Sequence, residues 1–294
     1  MTACPICGTP TEPSITATDE NRRCSDLRFH YGVCGSCGTI FLTNPPPDLG
    51  LYYESDYYEI PSLERLQAIG RKERNKIDIV GRFAAGNRLL EIGPAFGVFA
   101  YQARQSGFDV DTIEMDDRCC AYLRDTVGVS ALQSDNPAQA LAGMPSHDVV
   151  ALWHVIEHLP DVKALVAAAS ANLMPGGILV VATPNPDAGQ WALMGRHWPH
   201  LDAPRHLTLV PAETLETLGE THGLECIFLT SDDSDARHWN RFGWQWLLMN
   251  RFRSKLMKRA MLVAGYGISL LAAPFDRRPM RGAAYTMVLR KRSA

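Results

Sequence analysis

From Asn87 onward the chain alternates short apolar runs with stretches of helical period, and few folds accept that rhythm. Residues 88–92, 109–114, 129–133, 148–153, 177–182, 224–230 and 284–290 read as strands. Helical stretches at 98–106, 117–126, 162–173 and 212–222 lie between most of them. Short strands alternating with helices imply a parallel sheet with helices on both faces. The expected fold is therefore α/β: a doubly wound, mostly parallel, seven-stranded sheet. Ligands of such sheets bind at the carboxyl ends of the strands, near the point where strand order reverses. Two stretches break the rhythm. Residues 183–210 read as a long loop, and 232–280, rich in Trp, Met and Arg, as a helical insertion. Both follow late strands, where they would cover the mouth of a site.

The first 43 residues obey other rules. Cys4-Pro-Ile-Cys7 and Cys34-Gly-Ser-Cys37 are two C-x-x-C pairs, each followed by glycine. Zn²⁺ takes four thiolates in a tetrahedron, and a C-x-x-C turn can aim two sulfurs at one ion. One alternative is two unrelated pairs of free thiols; another, a redox C-x-x-C, would be expected beside a βαβ unit. His30 is a further ligand type, but four cysteines leave it no vacancy. A closed four-sulfur site is structural, and it would staple a segment too small to fold alone. Asn44-Pro-Pro-Pro47 marks a boundary. The expected organisation is a zinc-ribbon-like segment at 1–43, a linker and helix at 44–80, and a catalytic domain at 81–294 that carries the insertion 232–280. The linker holds Tyr52, Tyr53, Tyr57 and Tyr58, and 62–80 has the spacing of one amphipathic helix.

Strand 88–92 runs into Glu91-Ile-Gly93-Pro94-Ala95-Phe-Gly97 and then a helix. Glycine at 93 and 97 lets the backbone pass close to a ligand, and the helix start offers unpaired N–H groups to an anion. A dinucleotide fingerprint would read G-x-G-x-x-G, and this spacing does not suit a pyrophosphate. The second strand ends in Glu114, followed by Met115, where an acid can bind both hydroxyls of a ribose. Asp135, after the third strand, can accept from an adenine amino group. Acids at the ends of three successive strands make a cofactor site.

These residues resemble the first motif of class I S-adenosylmethionine-dependent methyltransferases, with Ala95 at its middle glycine. The resemblance spans about residues 77–230. It implies that Glu91, Gly93, Pro94 and Gly97 border the methionine end of S-adenosylmethionine. It further implies that Glu114 and Met115 hold the ribose, and that Asp135 caps the adenine. His154-Val-Ile-Glu157-His158-Leu-Pro-Asp161 and Ala182-Thr-Pro-Asn185 are similar to the ubiquinone-biosynthesis O-methyltransferase group.

Methyl transfer needs alignment and, for an oxygen or carbon acceptor, a base. His154, Glu157 and His158 share one face of a short helix. The expected base is His158, oriented by Glu157, with His154 packed on the cofactor. His197, Trp198, His200, Asp202, Arg205 and His206 crowd the loop at 191–207 and suit an acceptor site or a second metal, with Arg205 pairing an anionic group. Residues 251–292 carry eleven Lys/Arg and one acid, Asp276, so the rest of the chain is acidic. The apolar stretch 261–275 is bracketed by cations and suits a membrane interface, a packed cap or a homodimer surface.

The function expected from sequence is methyl transfer from S-adenosylmethionine to a small molecule, a sugar or a lipid-linked intermediate. The zinc segment is not basic, which disfavours nucleic acid as partner and an RNA methyltransferase as the alternative. A non-catalytic cofactor-binding scaffold is the other alternative, and it would need a broken cofactor site. Thiolate chemistry and the lack of a signal-like N-terminus lead to the expectation of a cytoplasmic protein, or one peripheral at the membrane through 251–281.

Overall fold

The computed structural model describes residues 1–53 and 58–293, so Tyr57 of the linker lies outside it. The N-terminal segment pairs β1 (Thr2–Ala3) with β2 (Pro10–Thr11). It continues as an antiparallel meander of β3 (Pro13–Ala17), β4 (Phe29–Val33) and β5 (Ile40–Leu42). The helix expected over 62–80 is two helices, α1 (Leu63–Gly70) and α2 (Arg74–Phe83). The break falls at Gly70, a poor helix residue, whose carbonyl is taken by the Gln102 amide from a neighbouring helix.

The remaining elements alternate. They are β6 (Arg88–Ile92), α3 (Val98–Gln105), β7 (Asp109–Glu114), α4 (Asp117–Tyr122), β8 (Ser130–Gln133), α5 (Pro137–Leu141) and β9 (His147–Trp153). Then come α6 (Val162–Asn172), β10 (Leu173–Pro184), α7 (Gly189–Met194), β11 (Thr208–Leu209), α8 (Ala212–Thr221) and β12 (Leu224–Thr230). The chain closes with α9 (Ser234–Met249), α10 (Lys255–Asp276) and β13 (Ala284–Lys291). Seven strands form one sheet in the order β12-β13-β10-β9-β6-β7-β8. The neighbours from β10 to β8 are parallel, whereas β13 runs antiparallel to both β10 and β12.

Both faces of the central strands are buried, so they are apolar without interruption. Successive side chains of a strand point to opposite faces. Leu90, Val150, Leu152, Leu179 and Val181 accordingly enter one core. Leu89, Val149, Ala151, Ile178 and Val180 enter the other. The chain leaves β6 for β7 and β8 on one side and returns to β9 on the other. The order therefore reverses between β6 and β9, which places the ligand crevice at their carboxyl ends.

Residues 183–210, expected as a loop, hold α7 and β11. β11 pairs with β5, so the N-terminal meander is a four-stranded sheet completed by the catalytic part of the chain. Apolar burial joins the two: Phe29, Tyr31, Ile40 and Leu42 share one core with Trp198, Leu201, Leu207 and Leu209.

Candidate active site

The turn after β6 is wound in the left-handed region three times, at Gly93 (φ 67°), Ala95 (φ 51°) and Gly97 (φ 78°). Side chains are excluded at both glycines. A Cβ on Gly93 would stand 2.6 Å from Val155 Cγ2, and one on Gly97 2.5 Å from Leu123 Cδ2. Ala95 bears a strain of about 1–2 kcal/mol, and its N–H is held by Glu114 Oε2 at 2.9 Å. Glu114 Oε1 accepts from the N–H groups of Met115 (2.8 Å) and Asp116 (2.9 Å). The Glu114 carboxylate therefore builds the turn that faces it. Burial raises its pKa against these three hydrogen bonds.

Glu91 is buried, and its Oε2 has no hydrogen-bond partner. Burial pushes its pKa up to about 8, despite the pull of Lys76. An orphaned buried oxygen beside a cradle that a Cβ would fill fits a bound polar ligand with a hydrogen-bond donor. Asp135 and Met115 lie exposed at the ends of β8 and β7.

Beyond the carboxyl ends of β9 and β10 lies a cavity of about 510 Å³. His154, Glu157, His158, His200, His206, Trp239 and Trp246 line it, with Asn21 and Arg22 from the N-terminal segment. A larger cleft, about 790 Å³, opens between α1, α2 and α3, away from these titratable groups. The smaller cavity is the one lined by the histidines.

His154 sits at φ 58° and binds Asp235 Oδ2 through Nε2 at 2.6 Å. Its Nδ1 is 3.6 Å from Glu157 Oε1. Burial alone would lower its pKa, but Asp235 and Glu157 outweigh that and hold it at about 9. The Trp239 N–H stands 2.9 Å from the same Nε2. An imidazolium has no lone pair to give it, so the Asp235 bond is the one that persists. Glu157 is fully buried and accepts from Thr183 Oγ1 at 3.0 Å. Burial opposes its ionisation, yet the surrounding histidines draw its pKa down to about 2.

The expectation that Glu157 orients His158 needs correction. His158 Nδ1 is instead 3.1 Å from the Arg205 carbonyl and 2.9 Å from the Tyr53 hydroxyl. Burial and the neighbouring His206 push its pKa down to about 4. With Nδ1 engaged by a carbonyl, Nε2 keeps its lone pair. His206 Nδ1 is likewise 2.8 Å from the His200 carbonyl. One donor atom each from Glu157, His158 and His206 lie within 4.8 Å of one another, a set of the kind that takes a divalent cation.

The loop cluster divides. His200 and His206 face the cavity, whereas His197 pairs with Glu20 at 2.8 Å on the surface. Arg205, expected to meet an anionic substrate group, is buried and saturated. Its guanidinium binds Asp202 through Nε (2.9 Å) and Nη2 (2.7 Å), and Asp19 at 2.7 Å. Its work is to clamp the N-terminal segment to the loop. Sequence reasoning missed Asp235, Trp239, Tyr53 and Asn21 as site residues. Asp235 lies in an acidic run that reads as a helix start, and nothing in its spacing points to His154.

Four sulfurs converge at the other end of the N-terminal sheet. Sγ of Cys4 is 3.7 Å from Cys37, and Sγ of Cys7 is 3.4 Å from Cys34. Disulfides would bring sulfurs to ~2 Å, whereas thiolates ~2.3 Å from one zinc stand about 3.8 Å apart. Both turns are built alike: Gly8 N donates to Cys4 O and Gly38 N to Cys34 O, each at 2.9 Å. Both glycines lie at positive φ, 78° and 71°. His30 instead pairs with Thr16 at 3.1 Å.

Residues 64–229 match the model of the methyltransferase domain family, over half of the chain. The chain belongs to that family. It is a class I S-adenosylmethionine-dependent methyltransferase by sequence motif and sheet alike. The ubiquinone biosynthesis O-methyltransferase of Paramagnetospirillum magneticum is 34% identical over 111 residues, which are 37% of this chain and 45% of that protein. The Pectobacterium carotovorum enzyme of the same name is 28% identical, over 37% of this chain and 47% of its own. The chain thus spans about half the length of the curated relatives it matches. An S-adenosylmethionine-dependent methyltransferase from Archaeoglobus fulgidus superposes with a TM-score of 0.52, at 16% identity, over 83% of this chain and all of that one. Phosphoethanolamine N-methyltransferase 2 of Haemonchus contortus, solved with S-adenosylmethionine, gives 0.53 at 17% identity, over 75% and 53% of the two chains. Both likenesses concern the fold.

Proposed function

We propose that this methyltransferase transfers a methyl group to an oxygen of a small molecule, a sugar or a lipid-linked intermediate held in the cavity beyond β9 and β10. The observation that carries this reading is a histidine-lined cavity whose His154 adjoins Val155, the residue packed on Gly93 of the strained turn. S-adenosylmethionine, when bound, supplies the methyl group as a sulfonium carbon. Glu91, Gly93, Pro94 and Gly97 hold its methionine end, Glu114 and Met115 its ribose, and Asp135 its adenine. His154 closes the site between cofactor and acceptor, fixed by Asp235 and Glu157.

His158 is the base. At neutral pH it is uncharged and its Nε2 can accept the acceptor's proton. Glu157 then stands beside the imidazolium so formed. Its depressed pKa, about 4, has a consequence. A group whose folded pKa is lowered stays deprotonated until the pH falls to that value. Turnover should hold level from pH 8 down to about 5 and fall below that, where an ordinary histidine base would fade near 6.5. His158→Gln should lower kcat by roughly 10²–10⁴-fold with the affinity for S-adenosylmethionine unchanged. The test is calorimetry with S-adenosylmethionine, followed by methyl-labelled cofactor added to aqueous and lipid extracts. A protein that does not bind the cofactor would end the proposal.

Zinc held by Cys4, Cys7, Cys34 and Cys37 belongs to the same reading. It would be structural, joining the turns that carry β3, β4 and β5. Without metal, burial pushes Cys4 up to about 12 while Thr9 draws Cys7 down to about 6, so loading must displace protons. Cys34→Ser should release the metal and loosen the N-terminal sheet. Metal analysis that finds one zinc per chain in that variant would refute the four-thiolate assignment.

A further inference from the structure

α10 spans 22 residues, and between Arg259 and Asp276 none of them carries a charge. It meets α9 along one narrow seam. Gly265 and Ser269 lie in that seam, four residues apart, and Asp276 near its end accepts from the Trp244 N–H at 2.8 Å. The approach is close enough that a Cβ on Gly265 would stand 2.5 Å from Gln245 Cα. The rest of the circumference is apolar and exposed: Leu262, Val263, Tyr266, Ile268, Leu270 and Leu271. Val263 is 71% and Leu271 84% accessible. A soluble surface helix shows a polar stripe to water. This one shows none, and so continuous an apolar patch marks an interaction face.

Charge decides what covers it. Arg251, Arg253, Lys255, Lys258 and Arg259 precede the apolar stretch, and Arg277, Arg278 and Arg281 follow it. Asp276 is the sole acid from 251 to 281, and it is buried against Trp244. Arg277 pairs with Asp232 at 3.2 Å, and a second copy of this chain would bring the other seven cations against their equivalents. An anionic lipid surface complements both the apolar stretch and its basic ends. We infer that the hairpin of α9 and α10 docks on an anionic lipid surface, α10 lying in the headgroup layer with its cations on lipid phosphates.

The placement bears on the acceptor. Trp246 and Met249 of α9 line the cavity together with Arg22, and Met249 is two residues from Arg251. Docking by α10 would bring the cavity mouth to the lipid. That consequence, an acceptor presented from the membrane, rests on the methyl-transfer reading, whereas the docking does not.

The test is flotation of the full chain with phosphatidylcholine vesicles, alone or with about a third phosphatidylglycerol, while light scattering follows its mass without lipid. At low salt at least ~10-fold more protein should float with the anionic vesicles, and high salt should narrow the gap as the Debye length shrinks. Val263→Glu with Leu271→Glu should abolish flotation. Both side chains are largely exposed, so folding is spared, and S-adenosylmethionine affinity checks this independently. If the wild type ignores both vesicles, the inference fails. A concentration-dependent dimer broken by the same double variant would overturn it in favour of a second copy. Because neither readout uses methyl transfer, the docking can fail while the functional reading stands.

Discussion

Replacing Arg205 with methionine should destabilise the protein by about 3–5 kcal/mol and lower its melting temperature by roughly 10 °C. Methionine keeps the bulk and removes the charge. Asp19 then stays buried and Asp202 largely so, with no cation between them. The removal also frees the loop that supplies His200 and His206 from the N-terminal segment that supplies Asn21. The pH dependence identifies the cause. In the wild type burial would raise the Asp202 pKa, but the Arg205 hydrogen bonds and His206 bring it down to about 2. Asp19 is lowered in the same way. A carboxyl whose folded pKa is depressed contributes stability above its unfolded value, ~4, and loses it as pH falls toward 2. Without Arg205 both rise from their native values, though His206 and Asn21 still oppose burial at Asp202, and the Cys24 and Arg22 N–H groups still oppose it at Asp19. Their contribution to stability above pH ~4 then shrinks. Thermal melts at pH 7 and pH ~2.5 should therefore show a large difference between the proteins at the first and a smaller one at the second. An equal loss at both pH values would mean that only packing was removed.

The parts of this molecule that were legible in sequence are those set by local period. The seven strands of the main sheet could be read because β9 and β10 are buried on both faces and admit no polar residue in their middles. The Gly93–Gly97 turn and the two cysteine turns could be read because a positive φ is written in the sequence as glycine. What was not legible depends on partners far away in the chain. Asp19 and Arg205 are 186 residues apart, and His154 and Asp235 81. Each alone looks like an ordinary charge at a turn. Arg205 therefore read as a substrate ligand, and His158 as the partner of Glu157, one residue away. The pairing of β11 with β5 was hidden too, since two residues of strand carry no period. The break between α1 and α2 turns on a side chain, Gln102, from another helix.

Glu114→Ala should weaken S-adenosylmethionine binding by at least ~10-fold. In the native fold Glu114 accepts three backbone N–H bonds, from Ala95, Met115 and Asp116. Alanine leaves all three donors orphaned near the surface of the site. It also releases Ala95, which occupies a left-handed conformation that alanine avoids. A hydrogen bond to a charged group contributes about 1.5–3 kcal/mol, and each 1.4 kcal/mol is tenfold in affinity. The loss of the ribose contact alone thus predicts roughly 10–150-fold, before any shift of the turn. Glu114→Gln separates the two effects. Glutamine fills the same space and can still accept through its carbonyl from one side, while its amide turns a donor toward the other N–H groups. Its affinity should fall between those of the wild type and the alanine variant. Calorimetry with S-adenosylmethionine and S-adenosylhomocysteine measures all three, and both ligands share the ribose, so both should weaken in parallel. If the alanine variant binds as tightly as the wild type, Glu114 is a turn-building residue alone, and the ribose lies against other groups.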